Sequence, residues 1–212
     1  MTGSYDFEEQ ERIAELKAWW EDNRWYVIGA LVAAVVVFAG WRGWTWWSAR
    51  QAEDAAAMFR PVAEAMKSDD PKKIAQVADP LLDKHPRSYF ASESALAVAK
   101  AAFDKGDLPE AAKRLQWVMD HGAETHRGIA RLRLAAVLLD QKKYDDALKV
   151  LDGNTDEAFG AAAADLRGDI MLAQGRLDEA RAAYKLAIEK AGPGNPVRGV
   201  AATKLGALGG GE

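Results

Sequence analysis

Along most of the chain apolar and polar residues recur with helical spacing, and in one place the recurrence stops. From Trp25 to Trp41 no residue is charged, and Val27 to Ala39 presents no polar face. A helix packed on a soluble core shows polar residues once in each turn of ~3.6 residues. At ~1.5 Å per residue, Trp25 to Trp41 covers roughly 26 Å, and continuing to Trp47 gives about 34 Å, against a hydrocarbon core of ~30 Å. The pattern predicts a membrane-spanning helix over residues 25–47.

The flanks agree. Seven of the eight tryptophans (Trp19, Trp20, Trp25, Trp41, Trp44, Trp46 and Trp47) lie at or just outside the ends of the apolar run. Indole rings favour the headgroup level, so Trp25 on one side and Trp41, Trp44, Trp46 and Trp47 on the other read as interface belts. Arg24 and Arg42 sit where a long side chain reaches water. The stretch before the run is acidic, and Trp, Thr, Ser and Arg follow it, which is not the basic start and small-residue exit of a cleaved signal. Bases near the run number three on each side (Arg12, Lys17, Arg24; Arg42, Arg50, Arg60), so charge leaves the orientation open.

Beyond Trp47 the pattern is helical throughout, rich in Ala, Leu, Lys, Glu and Asp, with no strand-like alternation. The fold class is all-α: one N-terminal transmembrane helix followed by a helical-repeat solenoid. Three segments superimpose, AVAKAAFDKGDLPEAAKRLQWV (97–118), RLAAVLLDQKKYDDALKVLDG (133–153) and LRGDIMLAQGRLDEARAAYKLAI (166–188). Leu108, Tyr144 and Leu177 follow the turns; Ala111, Ala147 and Ala180 come three residues later; Leu115, Leu151 and Tyr184 come four after those. The spacings lie close to the tetratricopeptide period of ~34 residues. Gly106 and Gly175 suit the turns, and Lys142 takes that place in the middle unit. Residues 48–66 and 71–84 form a divergent first pair, with Pro71 starting a helix and Pro80 expected to kink or break it. A short helix over Val197–Leu205 precedes a Gly-rich end. The expected organisation is an acidic segment 1–24, the span 25–47, a repeat domain 48–205 and a flexible tail 206–212.

Charge narrows the function. The net charge is −4, and the first 24 residues account for it with seven acids against three bases. The repeat domain is near neutral and lacks the basic excess that nucleic acid requires. The absence of cysteine excludes disulfides and thiol nucleophiles. His85, His121 and His126 form no HExxH and read as exposed turn residues. Asp145, Asp146, Asp178 and Glu179 begin second helices, where acids complement the helix dipole. With no phosphate-cradling or nucleophile-elbow motif, the chain reads as a non-enzyme needing no cofactor or metal.

What remains is a surface. The first helices of stacked pairs line a concave face, at Glu93, Leu96, Lys100 and Phe103; Ile129, Leu132, Ala136 and Leu139; and Ala162, Asp165, Asp169 and Leu172. Phe103, Leu139 and Leu172, with Leu96 and Leu132, are the expected partner-binding strip, the other reading being inter-repeat core. Gly29, Ala33, Val37 and Gly40 offer a small-residue face within the span, although such residues are common in spans.

The order of these segments, LKAWWEDN, a span ending in GWRGWTWW, then ASESALAVAKAAFDKGDLPEAAKRLQWV, RLRLAAVLLDQKKYDDALKVLD and LRGDIMLAQGRLDEARAAYKLAI, resembles the YfgM family, ancillary subunits of the Sec translocon. The resemblance implies a single-pass inner-membrane protein of Gram-negative bacteria, N-terminus cytoplasmic and repeats periplasmic. Its implied partners are the SecYEG channel, the membrane-anchored periplasmic chaperone PpiD, and newly translocated proteins. It carries over no catalytic residues. Rival readings are an envelope scaffold without client binding, a cytosol-facing adaptor, and an enzyme built on an unrecognised carboxylate pair.

Overall fold

The computed structural model describes residues 3–153 and 157–209, with side chains from Glu11 onward. Nine α-helices occur among them: α1 Gly3–Met66, α2 Pro71–Lys84, α3 Tyr89–Asp104, α4 Leu108–His121, α5 Glu124–Asp140, α6 Tyr144–Asp152, α7 Gly160–Ala173, α8 Leu177–Lys190 and α9 Pro196–Ala207, with a single 3₁₀ turn at Glu157–Phe159. No strand occurs among the described residues, and the fold is all-α. The chain divides into two units at Gln51 and Ala52, and α1 contributes to both.

In the second unit the last part of α1 with α2, then α3/α4, α5/α6 and α7/α8 form four antiparallel pairs. The pairs depend on small residues at fixed places. Ala111, Ala147 and Ala180 are fully buried, and Leu115, Leu151 and Tyr184, four residues on, are buried with them. A methyl group lets the backbones approach closely, and the large residue one turn later fills the space between neighbours.

The turns repeat as well. Asp107 N–H donates to Ala102 O (2.8 Å), Lys143 N–H to Leu138 O (2.8 Å) and Arg176 N–H to Met171 O (2.9 Å), the wide bond that closes a helix on a left-handed residue. That residue is Gly106 (φ 77°), Lys142 (φ 58°) and Gly175 (φ 76°). Lysine therefore pays a steric cost of about 1–2 kcal/mol at Lys142 that glycine avoids. Only the first of the three turns gains a side-chain cap, where Asp107 accepts from the Glu110 N–H at 3.1 Å.

Two expectations are corrected. Helix α2 runs through Pro80 to Lys84. Pro80 and Gln76 are both exposed, so the carbonyl that the missing N–H leaves unpaired faces water, while Ile74, Ala78, Leu81 and Leu82 bury the other side. Of the histidines expected in exposed turns, only His121 is exposed. His85 is buried at the end of α2, 3.2 Å from Asp54 of α1. The hydrogen bonds from Lys84 (2.6 Å) and from His85 hold the Asp54 carboxyl below the usual range. His126 is buried at the start of α5, its Nε2 2.8 Å from Glu93 Oε1 and its ring 4.7 Å from that of Tyr89. Both histidines pair with carboxylates from a preceding helix, so they join elements instead of decorating turns. Arg114 of α4 does the same, held by Glu110 and by Asp79 of α2.

Helix α9 ends at Ala207, two residues into the stretch expected to be flexible, and residues 210–212 lie outside the described residues. It closes the array through one polar cluster. Lys204 donates to Asp165 and Asp169 of α7, each at 2.8 Å, and the buried Tyr184 of α8 donates to Asp169 at 2.8 Å. Burial and the bond to Asp169 push the Tyr184 hydroxyl above the usual tyrosine range. Burial works against the Lys204 charge, and the two aspartates outweigh it, so its pKa is raised.

Gly168 makes this packing possible: a Cβ there would stand 2.4 Å from the Tyr184 ring. Gly168→Ala is expected to destabilise by about 1–3 kcal/mol through overpacking, although alanine is otherwise the better helix former by about 1 kcal/mol. Gly199→Ala, in open space on α9, should instead stabilise by up to ~1 kcal/mol. Denaturant unfolding of the detergent-solubilised chain separates the two signs, and equal effects would refute the packing account.

The same cluster sets an alkaline limit. Both raised pKa values mean that the folded state holds these protons more tightly, so the stabilisation is complete below the unfolded values of ~10 and ~10.4 and is lost as pH rises above them. Unfolding midpoints of the wild-type chain are expected to fall above about pH 10, and less steeply in Tyr184→Phe with Lys204→Met. Parallel curves would show that the cluster is not responsible.

Candidate functional site

The first candidate surface is the apolar stretch of α1. Its large side chains, Ile28, Leu31, Val32, Val35, Val36, Val37 and Phe38, are all exposed within a helix long and apolar enough to cross a membrane. No core in its own unit covers them, which is the condition of a helix meant for lipid. An Arg–Trp contact brackets each end: the Arg24 guanidinium lies 5.8 Å from the Trp25 ring centroid, and that of Arg50 lies 5.1 Å from Trp46. Trp25 to Trp46 is roughly 32 Å along the axis, matching the hydrocarbon thickness of ~30 Å. Trp41, Arg42, Trp44 and Trp47 are exposed near the second end, where the Trp44 and Trp47 rings lie 5.4 Å apart at a tilt of 40° and Trp41 meets Phe38 edge-on at 6.3 Å. Arg42 was the expected cation there, and Arg50, two turns on, is the one seated over a ring. Gly29 and Gly40 are open, with nothing within 4 Å of an added Cβ.

The second candidate surface lies in the repeats, and it is smaller than the expected strip. Leu96 is 6% exposed and belongs to the core, so it offers no surface. Leu132 and Leu139 are half-buried and pack against that same core. Phe103 (41%) and Leu172 (38%) do stand out to solvent. Asp165 and Asp169 are taken by Lys204, and Glu93 by His126, so α9 and the α3–α5 contact occupy positions expected to be free.

What is open is a groove of about 320 Å³ between α3 and α5, floored by Leu115 of α4. Ala99, Lys100, Phe103 and Asp104 form one wall, and Arg133, Ala136 and Val137 the other. The alanines leave the space and Phe103 edges it. Lys100 is paired with Asp104, which raises the lysine pKa through their hydrogen bond. Arg133 is exposed, so the groove is apolar with a basic lip. Arg133, Ala99 and Val137 were not expected here. The signal for them is adjacency, since Ala99 precedes the expected Lys100 and Arg133 and Val137 lie three residues before and one after the expected Ala136.

A profile described as a tetratricopeptide repeat-like domain matches residues 17–210. The chain is 31% identical over 173 residues to the ancillary SecYEG translocon subunit of Haemophilus influenzae, covering 81% of this chain and 84% of the relative. It is 29% identical over 192 residues to that of Aggregatibacter actinomycetemcomitans, with 89% and 93% covered. For the Escherichia coli protein the identity is 29% over 182 residues, with 85% and 87% covered. Among solved structures the MamA RS-1 ArsTM double mutant is similar, with a TM-score of 0.55 and 22% identity over 73% of this chain and 83% of that one, a likeness of fold. Because these matches take in the apolar helix as well as the repeats, the chain belongs to the family of ancillary SecYEG translocon subunits, built on a tetratricopeptide repeat-like domain.

Proposed function

We propose that the protein is a single-pass inner-membrane protein acting without catalysis at the Sec translocon, where its repeat domain binds other proteins. Residues 1–24 lie in the cytoplasm, 25–47 span the bilayer, and the repeats work in the periplasm beside a membrane-anchored chaperone and newly translocated chains. The observation that carries this reading is the match to ancillary translocon subunits across span and repeats together. The α3/α5 groove supports it physically: an exposed aromatic at the edge of an apolar trough accepts an apolar side chain of an extended or helical segment. Leu172 is a second exposed contact on α7, whereas Leu132 and Leu139 support the wall from behind. Tethering makes weak contacts sufficient, because confinement near the channel raises effective concentration to roughly the mM range.

Orientation is tested directly because the chain has no native cysteine. With the outer membrane permeabilised, a membrane-impermeant thiol reagent is expected to label Ala182→Cys, exposed on α8, and not Ser4→Cys. The reverse pattern would put the repeats in the cytosol and defeat the proposal.

The groove is tested by separating binding from folding. Phe103→Ser and Arg133→Glu are expected to reduce recovery of Sec subunits or translocating chains several-fold in cross-linking experiments while changing stability by less than about 1 kcal/mol. Leu96→Ala should cost about 2–5 kcal/mol, as a core truncation. Unchanged recovery from the two folded groove variants would remove the groove from the function.

A further inference from the structure

The stretch before the apolar run has a face that its own unit leaves uncovered. Ile13, Leu16, Trp19 and Trp20 are between 45% and 65% exposed. Ile13, Leu16 and Trp20 stand at i, i+3 and i+7, one stripe of a helix, with Trp19 beside them. Charge is sorted about that stripe. At ~100° per residue, Arg12, Lys17 and Arg24 fall on or beside it, while Glu11, Glu15 and Asp22 fall on the opposite face and Glu21 on the flank. Within residues 11–24 the three bases thus lie on the apolar side and the four acids away from it.

This distribution is that of a helix lying in a membrane surface: large apolar residues with tryptophan on one face, bases along its margins to meet lipid phosphates, and acids toward water. We propose that residues 11–24 form such an interfacial helix, with Ile13, Leu16, Trp19 and Trp20 at the boundary between headgroups and acyl chains of anionic lipid. The inference rests on the reading that residues 25–47 span the bilayer, because the span delivers this stripe to the surface.

In the structure α1 runs unbroken from Gly3 to Met66, and the proposal requires its first part to incline at the membrane surface. If it continued along the axis of the span, Trp20 would lie about 7 Å and Ile13 about 18 Å beyond Trp25, whereas the headgroup layer is only ~5–8 Å deep on each side. Ile13 and Leu16 would then stand in water. Asn23 lies where an inclination is easiest: its side-chain Nδ2 donates to the Trp19 carbonyl at 2.9 Å, the carbonyl that the helix ladder assigns to the Asn23 N–H.

The cysteine-free chain allows a periodic test. Spin labels at single cysteines replacing Ile13, Leu16 and Trp20, or Glu11, Glu15 and Asp22, are read in the full-length protein in vesicles of phosphatidylcholine with phosphatidylglycerol, with Val36→Cys as the reference within the span. The ratio of collision with oxygen to collision with a water-soluble nickel chelate is expected to be several-fold higher at 13, 16 and 20 than at 11, 15 and 22. It should fall at position 16 when phosphatidylglycerol is omitted, or when Arg12 and Lys17 are both replaced by Gln. Equal nickel access at all six positions, with Val36→Cys still in lipid, would overturn the inference and leave the span standing. Shielding of 13, 16 and 20 from both reagents would overturn it in favour of a protein partner. Nickel access at Val36→Cys would overturn the spanning reading, and the inference with it.

Discussion

The close approach of two helices at an alanine is the constraint on which the repeat domain turns. Ala111, Ala147 and Ala180 are each fully buried, and any larger side chain there would hold a pair apart by the size of that side chain. The residue one turn later can then be large, because the approach of the backbones has created a space of fixed size between neighbours. Leu115 and Leu151 fill it in two pairs, and Tyr184 fills it in the third. Tyrosine brings a hydroxyl into that space, and a buried hydroxyl requires a partner. The substitution therefore propagates outward: Gly168 makes room for the ring, Asp169 accepts a hydrogen bond from the hydroxyl, and Lys204 of α9 compensates Asp169. The last pair is thus linked to α9 by this polar cluster as well as by the buried Ala201 and Leu205.

That propagation decides which part of the first-helix surface remains open. A uniform array would expose equivalent positions on α3, α5 and α7. Here α9 takes the aspartates of α7, and the buried His126 takes Glu93 at the start of α3. The groove is left between the C-terminal part of α3 and the later part of α5, lined by Ala99 and Ala136 with the exposed Phe103 among them. Its apolar character follows from the same small residues that close the pairs, and its basic lip from Arg133.

Legibility in the sequence follows the range of the interaction. Helix pairs, turns and the Ala/Leu register were readable because each depends on residues within one or two turns, and the burial of Ala111, Ala147 and Ala180 bears that register out. The apolar helix was readable because a run without charge is a composition signal. Pro80 misled because the cost of a helix-interior proline depends on which face it occupies, and that is set by what α2 packs against. His85 and His126 misled for the same reason, their partners Asp54 and Glu93 being supplied by other helices. Within the expected strip Phe103 is exposed and Leu96 is buried in the core, although both sit on α3, because burial is set by packing between helices and not by position along one.

The two surfaces of the protein answer to two solvents, and their residue types reflect the difference. In water, exposing Phe103 has a hydrophobic cost that burial against a partner recovers, which is the physical basis for proposing it as a recognition element. In lipid, exposed Val, Leu and Ile cost nothing, and a helix is positioned by its ends, where the Arg24–Trp25 and Arg50–Trp46 contacts offer the interfacial groups that such positioning uses. An anchor fixed in depth but unspecific in its sides holds the repeats near the membrane without committing them to one neighbour. On the proposed function, weak and reversible contacts through the groove suffice, since the anchor has already met much of the entropic cost of association.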